Sequence, residues 1–577
     1  MRFLTQYMGK YLKPFVIAII FLMVEALCDL MQPTIMSKIV DVGVAHKDMH
    51  YVLQNGGVML LITAVGAVSA STRNILSSNV SQRFGSDLRS DLFRKIQGLS
   101  FKSIDRFDRA SLVTRLTNDV TLIQMFVNGL MRIFVKAPLL AIGGLFMAIR
   151  LDPSLSVVLG VVVPIVAIFI IINMKVGFPF FMRVQRALDK VNGVMREYLS
   201  GVRVVKAFNR FDYEVDKFNT ANEEYKNKSI AATRVMSVFS PAIMITVNLG
   251  IIAVLWLGGH WVDTGKMQVG HIIAFINYMT QILFSLMTVS MVFNMFVRAR
   301  ASAGRINEVF LEQNDMTWKE EQAENRQIVQ KGRIDFENVS FAYNGASGEP
   351  VLKNISFSCL PGQTVGIIGS TGSGKSSLVN LIPRFYDTSA GTIKIDGENI
   401  KDMDPRRIRE KISIVPQKTT LFSGTVLENI RWGKEMAGMD EVERAARMAQ
   451  AHDFISETPE GYNTRLGQGG VNFSGGQKQR VSIARALVRK PEILILDDST
   501  SAVDMATEAR IKASLKKYAS GLTCLLIAQR ITSIIDADVI IVLDDGEIAG
   551  IGSHEELIRN CKVYQEIYQS QIGKEVL

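Results

Sequence analysis

Cysteine is scarce in this 577-residue chain. Cys28, Cys359, Cys524 and Cys561 lie far apart and form no CxxC pair, which excludes the usual zinc spacings and a disulfide framework. The marks of a disordered chain are also missing, because 48% of the residues are hydrophobic and only 21% are charged. No small-residue cleavage site follows the first apolar run, and that run is too long for a signal peptide. No nucleic-acid module is present, although 65 Lys+Arg outnumber 55 Asp+Glu and leave a formal charge of +10. The length exceeds what one hydrophobic core supports, so at least two domains are expected. A mean hydropathy of +0.19 is too low for a wholly embedded chain and too high for a soluble enzyme. It reads as the average of a membrane half and a soluble half.

Long apolar segments recur through the first 300 residues, and six spans are expected at about 14–37, 53–76, 130–150, 155–174, 240–262 and 270–297. Before the first, Phe3, Leu4, Tyr7, Met8, Tyr11 and Leu12 share one helical face, with Arg2, Lys10 and Lys13 on others. That pattern fits either a helix lying on the membrane or a simple amphipathic entry to the first span. Two connections are long and basic, carrying Arg83, Arg89, Arg94, Lys95, Arg106 and Arg115, then Arg183, Arg186, Lys190, Arg196, Arg203 and Lys206. The others are short or acidic, as at Asp41, Asp48, Asp152 and Asp263. The positive-inside rule therefore places the N-terminus and both long connections in the cytoplasm. Their helical periodicity implies spans continuing out of the bilayer, and the basic excess reads as topology. Glu25 and Asp29 share one face of the first span. They imply either a cation-attracting wall of a water-filled cavity or paired and hydrated carboxylates. Met287, Met291 and Met295 form a stripe on the sixth span that suits either an adaptable substrate surface or core packing.

The pattern changes after a polar linker at 311–332. Residues 1–310 form the expected membrane domain, and 333–577 alternate strand-like and helical runs as in an α/β domain. The apolar run 364–368 leads into Gly369, Ser370, Thr371, Gly372, Ser373, Gly374, Lys375 and Ser376, which fit G-x-x-x-x-G-K-[ST]; Ser377 and a helical pattern follow. Glycines let main-chain N–H groups close around phosphate oxygens, Lys375 reaches the terminal phosphates, and Ser376 can ligate Mg²⁺. The apolar run 493–496 ends in Asp497, a carboxylate placed to complete the Mg²⁺ shell. Together they predict binding of a nucleoside triphosphate. Between them, Ser474, Gly475, Gly476 and Gln477 open a helix, a second anion-binding device or an ordinary surface cap.

The sequence Asn472–Arg480, set beside these two motifs, resembles the signature of ABC ATPases. Over essentially its whole length the chain resembles a bacterial ABC exporter half-transporter, and more narrowly one subunit of the heterodimeric multidrug exporters. The resemblance implies ATP and Mg²⁺, with Tyr343 stacking on adenine and Gln417 sensing the γ-phosphate and Mg²⁺. Residues 501–504, with Asp504, match the D-loop. The stretch from Phe107 and Asp108 to residues 117–120 resembles the first coupling loop, and 197–208 with Arg210 the second. Asp498 stands where the family has a catalytic Glu, and Gln529 where it has a switch His. A carboxylate withdrawn by roughly 1–1.5 Å can cost about 10²-fold in rate, and Gln cannot carry an imidazolium charge. The chain's own site is therefore expected to hydrolyse slowly, while its signature completes a competent site on a different partner subunit that keeps the Glu and the His. The implied substrates are hydrophobic or cationic drugs or lipids. A homodimeric exporter and an ATP-binding regulatory or channel-like membrane protein are the alternatives, and the sequence does not fix transport direction.

Overall fold

The computed structural model describes residues 7, 9–314, 316, 331–343, 349–499, 503–518 and 521–572. Where apolar residues dominate the first half, it has six helices long and apolar enough to cross a membrane: Leu12–Val44, Met49–Gln97, Arg109–Leu151, Ser156–Ala207, Phe211–Asp263 and Val269–Leu311. The second, fourth and fifth contain 49, 52 and 53 residues. At 1.5 Å per residue each runs for about 74–80 Å, against roughly 30 Å of bilayer hydrocarbon. Arg83, Arg89, Arg94 and Lys95 are thus residues of the second helix, and Arg183 to Lys206 residues of the fourth. Most of each long basic connection is membrane helix extended past the apolar zone.

The chain divides into two compact units. One holds the residues up to Gln97 with Asp108–Glu312, and the other holds Gly98–Phe107 with the residues from Gln313 on. Of the expected linker, residues 315 and 317–330 lie outside the described residues.

In the first unit, an apolar core including Leu159, Val162, Phe275, Tyr278 and Met279 joins the fourth, fifth and sixth helices. Tyr278 donates to the Leu30 carbonyl at 2.6 Å, which ties the sixth helix to the first. Charge is buried in two places. Glu25, 6% exposed, accepts from Arg73 Nε at 2.7 Å and Lys136 Nζ at 2.6 Å, and Lys136 also reaches Asp29 at 2.9 Å. Of the two readings of Glu25 and Asp29, this arrangement matches paired carboxylates, because Glu25 is engaged by two cations from the second and third helices. Asp119 is fully buried and accepts from Ser302 Oγ at 2.9 Å and Arg305 Nε at 2.8 Å, which locks the third helix to the sixth. At the N-terminus, Phe3, Leu4, Met8 and Arg2 lie outside the described residues. Tyr7 donates to Asp91 at 2.8 Å, Tyr11 donates to Asp87 at 2.7 Å, and Lys10 pairs with Asp87, so this entry segment is bound to the second helix.

The second unit is built on two larger sheets and a two-stranded ribbon of Gly424–Thr425 and Arg465–Leu466. Leu352–Cys359, Ile334–Phe341, Ala390–Ile395 and Glu398–Asn399 form an antiparallel four-stranded sheet. The six-stranded sheet runs in the order Glu547–Gly552, Val539–Asp544, Thr364–Gly369, Thr523–Ile527, Ile493–Asp497, Ile412–Val415, and only its first pair is antiparallel. Its central strands are continuous Ile, Leu and Val runs because both faces are covered; all five residues of Ile493–Asp497 are buried. A separate apolar cluster gathers the helices Val426–Arg431, Met439–Met448 and Gly475–Leu487. All four cysteines are buried and free, and burial pushes the Cys359 and Cys524 thiols up to about 12.

Removing the Glu25 carboxylate strands Arg73, which is 5% exposed, without a counter-charge. Glu25→Ala is expected to destabilise the membrane unit by about 3–5 kcal/mol, and Glu25→Leu combined with Arg73→Met to recover most of that loss. Thermal unfolding of the detergent-purified variants checks this; a double variant no better than Glu25→Ala would refute the pairing.

Candidate ATP site

Four parallel strands place the site. Ile527 pairs with Ile367 on one side and Asp497 on the other, and Val415 pairs with Leu496. The carboxyl ends of these strands lie side by side, where open α/β sheets bind ligands. The next residues of each strand therefore meet: the loop after Gly369, Asp498 after Asp497, Gln529 after Ala528, and Gln417 after Pro416. They surround a cavity of about 260 Å³ lined by Thr371, Gly372, Gly374, Lys375, Ser376 and Ser377 on one side and by Gln417, Asp497, Asp498 and Gln529 on the other.

The phosphate loop owes its shape to glycine. Gly374 has φ +93°, and a Cβ there would stand 2.7 Å from Leu352 Cδ2. At Gly369 a Cβ would come within 2.1 Å of the Leu543 carbonyl oxygen. Ser373 N–H donates to Ser370 O at 3.2 Å and closes the turn. Lys375 Nζ folds over it, donating to the carbonyls of Gly369 at 2.8 Å and Ser370 at 2.7 Å. Burial holds the Lys375 ammonium below its ordinary pKa, against the opposing pull of Asp497 and Asp498. An ammonium held by neutral carbonyls beside an open cavity can transfer its hydrogen bonds to phosphate oxygens at little cost.

Burial and then the Asp498 charge raise the Asp497 carboxyl above the usual range, while a hydrogen bond with Ser376 and the Lys375 charge oppose the shift. Asp498 is likewise raised by burial. Two carboxylates in one cavity, with the Ser376 hydroxyl and the Gln417 amide oxygen near them, are a hard oxygen donor set. That fits Mg²⁺, which takes one or two protein carboxylates and completes its shell with phosphates and water.

Asp498 sits at φ +45°, a left-handed conformation that Asp and Asn tolerate better than other side chains with a Cβ. Its Oδ2 accepts from Gln417 Nε2 at 3.2 Å and Gln529 Nε2 at 3.0 Å. The residue expected to polarise water is thus held by both neighbouring amides.

Tyr343 is half-buried. Its hydroxyl lies 3.1 Å from Ser377 Oγ, and its ring meets Phe341 and Tyr386 edge-on at 4.7 and 5.2 Å. Ser474 to Gln477 do not line the cavity. Ser474 caps the Gly475–Leu487 helix in a reciprocal capping box with Gln477, leaving Gly475 and Gly476 at the helix start. Asp504 caps the next helix through Thr507 N–H at 2.8 Å; residues 501 and 502 lie outside the described residues.

The first expected coupling stretch divides between the two units, with Phe107 in the second and Asp108 onward in the first. Residues 108–120 belong to the membrane unit, and Asp119 is buried against Arg305. The short helix Phe101–Asp105, just upstream, packs in the second unit: the Phe101 ring lies 4.7 Å from Phe385, and Tyr386 donates to Asp105 at 2.6 Å. Of residues 197–208, all but Phe208 end the fourth helix, and at the turn into the fifth Phe208, Phe211 and Tyr213 are 75%, 61% and 60% exposed. Met287 and Met291 are exposed on the sixth helix, whereas Met295 packs against Gly129. Arg73 and Lys136, which pair with Glu25, were not anticipated; an isolated cation within an apolar span is the signal that could have marked them.

Both cavity carboxyls titrate higher in the folded protein than in an unfolded chain. Their ionisation therefore opposes folding at neutral pH, and this penalty disappears as pH falls through the folded pKa. Asp498→Asn keeps an acceptor for both amides and tolerates positive φ. It should raise the thermal midpoint of the nucleotide-free protein by a few degrees at pH 7, and the gain should shrink towards pH about 4. A lower midpoint at pH 7 would contradict this.

Comparison with known proteins agrees with the geometry. The family model for the ABC transporter transmembrane region matches residues 15–287, and the model described as ABC transporter matches residues 352–501. The chain is 41% identical over 570 residues to the ABC transporter ATP-binding protein YfiB of Bacillus subtilis, with 98% of each chain covered. It is 39% identical over 574 residues to the ABC transporter ATP-binding protein Rv1273c of Mycobacterium tuberculosis, covering 98% of this chain and 97% of the other. Among solved structures it resembles a bacterial Atm1-family ABC exporter with ATP bound, at a TM-score of 0.81 and 25% identity over 98% of this chain and 99% of that one. The chain belongs to the ABC transporter family, with a six-helix transmembrane region and an ABC ATPase domain fused in one polypeptide.

Proposed function

We propose that this chain is one subunit of an ATP-driven exporter, that it pairs with a different ABC subunit, and that its own ATP site turns over slowly. Likeness over nearly the whole chain to an exporter with ATP bound supports the exporter reading. Lys375 and the phosphate loop would hold the phosphates, Tyr343 would take the adenine, and Ser376, Gln417 and Asp497 would hold Mg²⁺, which neutralises phosphate charge when bound. Ser474 to Gln477, standing outside this chain's cavity, would complete the partner's site. The chain would lie in a bacterial cytoplasmic membrane with its N-terminus and ATPase domain in the cytoplasm. The exposed apolar tip at Phe208, Phe211 and Tyr213 supports a protein partner. Exposed Met287 and Met291 support hydrophobic drugs or lipids as substrates. Glu25, saturated by Arg73 and Lys136, lends no support to cations.

The observation that carries the slow-site reading is the engagement of Asp498 Oδ2 by both Gln417 and Gln529. A short carboxylate held at both sides by amides is poorly placed to orient water. The intact signature favours a second reading, a homodimer in which two copies complete each other's sites. ATPase measurement on the purified chain separates the two. Slow turnover that rises on the order of 10–10²-fold in Asp498→Glu/Gln529→His is expected. Brisk turnover of the unaltered chain would favour the homodimer, and an unchanged rate in the double variant would refute the slow-site reading.

A further inference from the structure

The last helix, Lys562–Ile572, docks on the same apolar cluster that holds the turn after the Thr523–Ile527 strand. Tyr564 is fully buried and Tyr568 is 8% exposed, in a cluster with Ile531, Ile534 and Val542. His554 Nδ1 lies 2.8 Å from the Tyr564 hydroxyl and fixes the ring from the preceding helix. This anchoring brings Gln571 to the turn. Its Nε2 donates to the Gln529 carbonyl at 2.7 Å, and its Oε1 accepts from Ile531 N–H at 2.8 Å.

One side-chain amide thus bridges two main-chain groups flanking Arg530. The bridge has a chemical consequence because the tethered residue is Gln529, whose own amide donates to Asp498 Oδ2 at 3.0 Å. The strand end is fixed independently, since Ala528 N–H donates to the Ile367 carbonyl at 3.1 Å. Gln571 adds a restraint on the Gln529 carbonyl, in the residue that faces the cavity. Without it the Gln529 carbonyl loses the Gln571 amide, and a side chain's aim depends on the main chain that carries it.

We propose that Gln571 is a positioning residue for the ATP site: through the Gln529 main chain it holds the Gln529 amide at the end of the cavity where the terminal phosphate would sit. This deepens the ATP-site reading above and rests on it. The requirement is for a side chain of this length with a donor and an acceptor on one plane. Glu at 571 could still accept from Ile531 but would set a carboxylate oxygen against the Gln529 carbonyl.

The test compares affinities of the full-length purified chain for AMP-PNP and ADP, both with Mg²⁺, so that turnover is not needed. Gln571→Ala should weaken AMP-PNP about 3–10-fold, the worth of one well-placed hydrogen bond, and leave ADP unchanged. Gln571→Glu should do at least as much. Gln565→Ala is the structural control, because Gln565 lies on the same helix but donates to the Ile558 carbonyl at 2.7 Å, away from the turn; it should lower thermal stability without changing the nucleotide ratio. In a Gln529→Ala background, Gln571→Ala should have no further effect. Equal weakening of both nucleotides, the same ratio change from Gln565→Ala, or additivity with Gln529→Ala would overturn the proposal. Failure of Lys375→Ala to weaken either nucleotide would instead show that the cavity is not the nucleotide site.

Discussion

The register of four parallel strands is the constraint on which the ATPase site depends. Thr364–Gly369, Thr523–Ile527, Ile493–Asp497 and Ile412–Val415 pair so that their carboxyl ends are level. A shift of one residue in any of them would move a strand end, and the site residues that follow it, out of level with its neighbours. The same hydrophobic register that stabilises the sheet therefore sets the distances between the phosphate loop, the two carboxylates and the two glutamines. No side chain of the site has to be positioned by a long loop.

The membrane unit meets a different demand. Lipid offers no hydrogen bonds, so polar groups within the bundle need partners inside the protein. Glu25 with Arg73 and Lys136, and Asp119 with Ser302 and Arg305, satisfy that demand between specific helices. Apolar packing against lipid-like side chains gives little directional preference. These ion pairs and hydrogen bonds are therefore what distinguish one arrangement of the first, second, third and sixth helices from its alternatives.

Much of this was legible in the sequence, for reasons particular residues make clear. The phosphate loop and the strand ending in Asp497 are contiguous motifs whose local order of strand, turn and helix carries their meaning. The six spans followed from unbroken apolar length. The partners of Glu25 were hidden because they lie 48 and 111 residues away, and nothing in a local pattern encodes such a distance. Phe101–Asp105, which packs in the second unit, is a single turn with no distinctive periodicity, so no local pattern marks it. Gln571 carried no signal at all: one glutamine on an amphipathic helix is chemically ordinary until the fold sets it beside a main-chain turn.

The four buried thiols have a practical consequence. Cys359 and Cys524 titrate so far above neutrality that almost none of their thiolate exists in solution, and thiolate is the species that maleimides and methanethiosulfonates attack. Burial of all four thiols shields them from thiol-directed spin labels and fluorophores while the chain stays folded. A single cysteine placed at the exposed Phe208 tip would carry the label almost alone. Distances between such labels could then follow a working transporter without first stripping out its own cysteines.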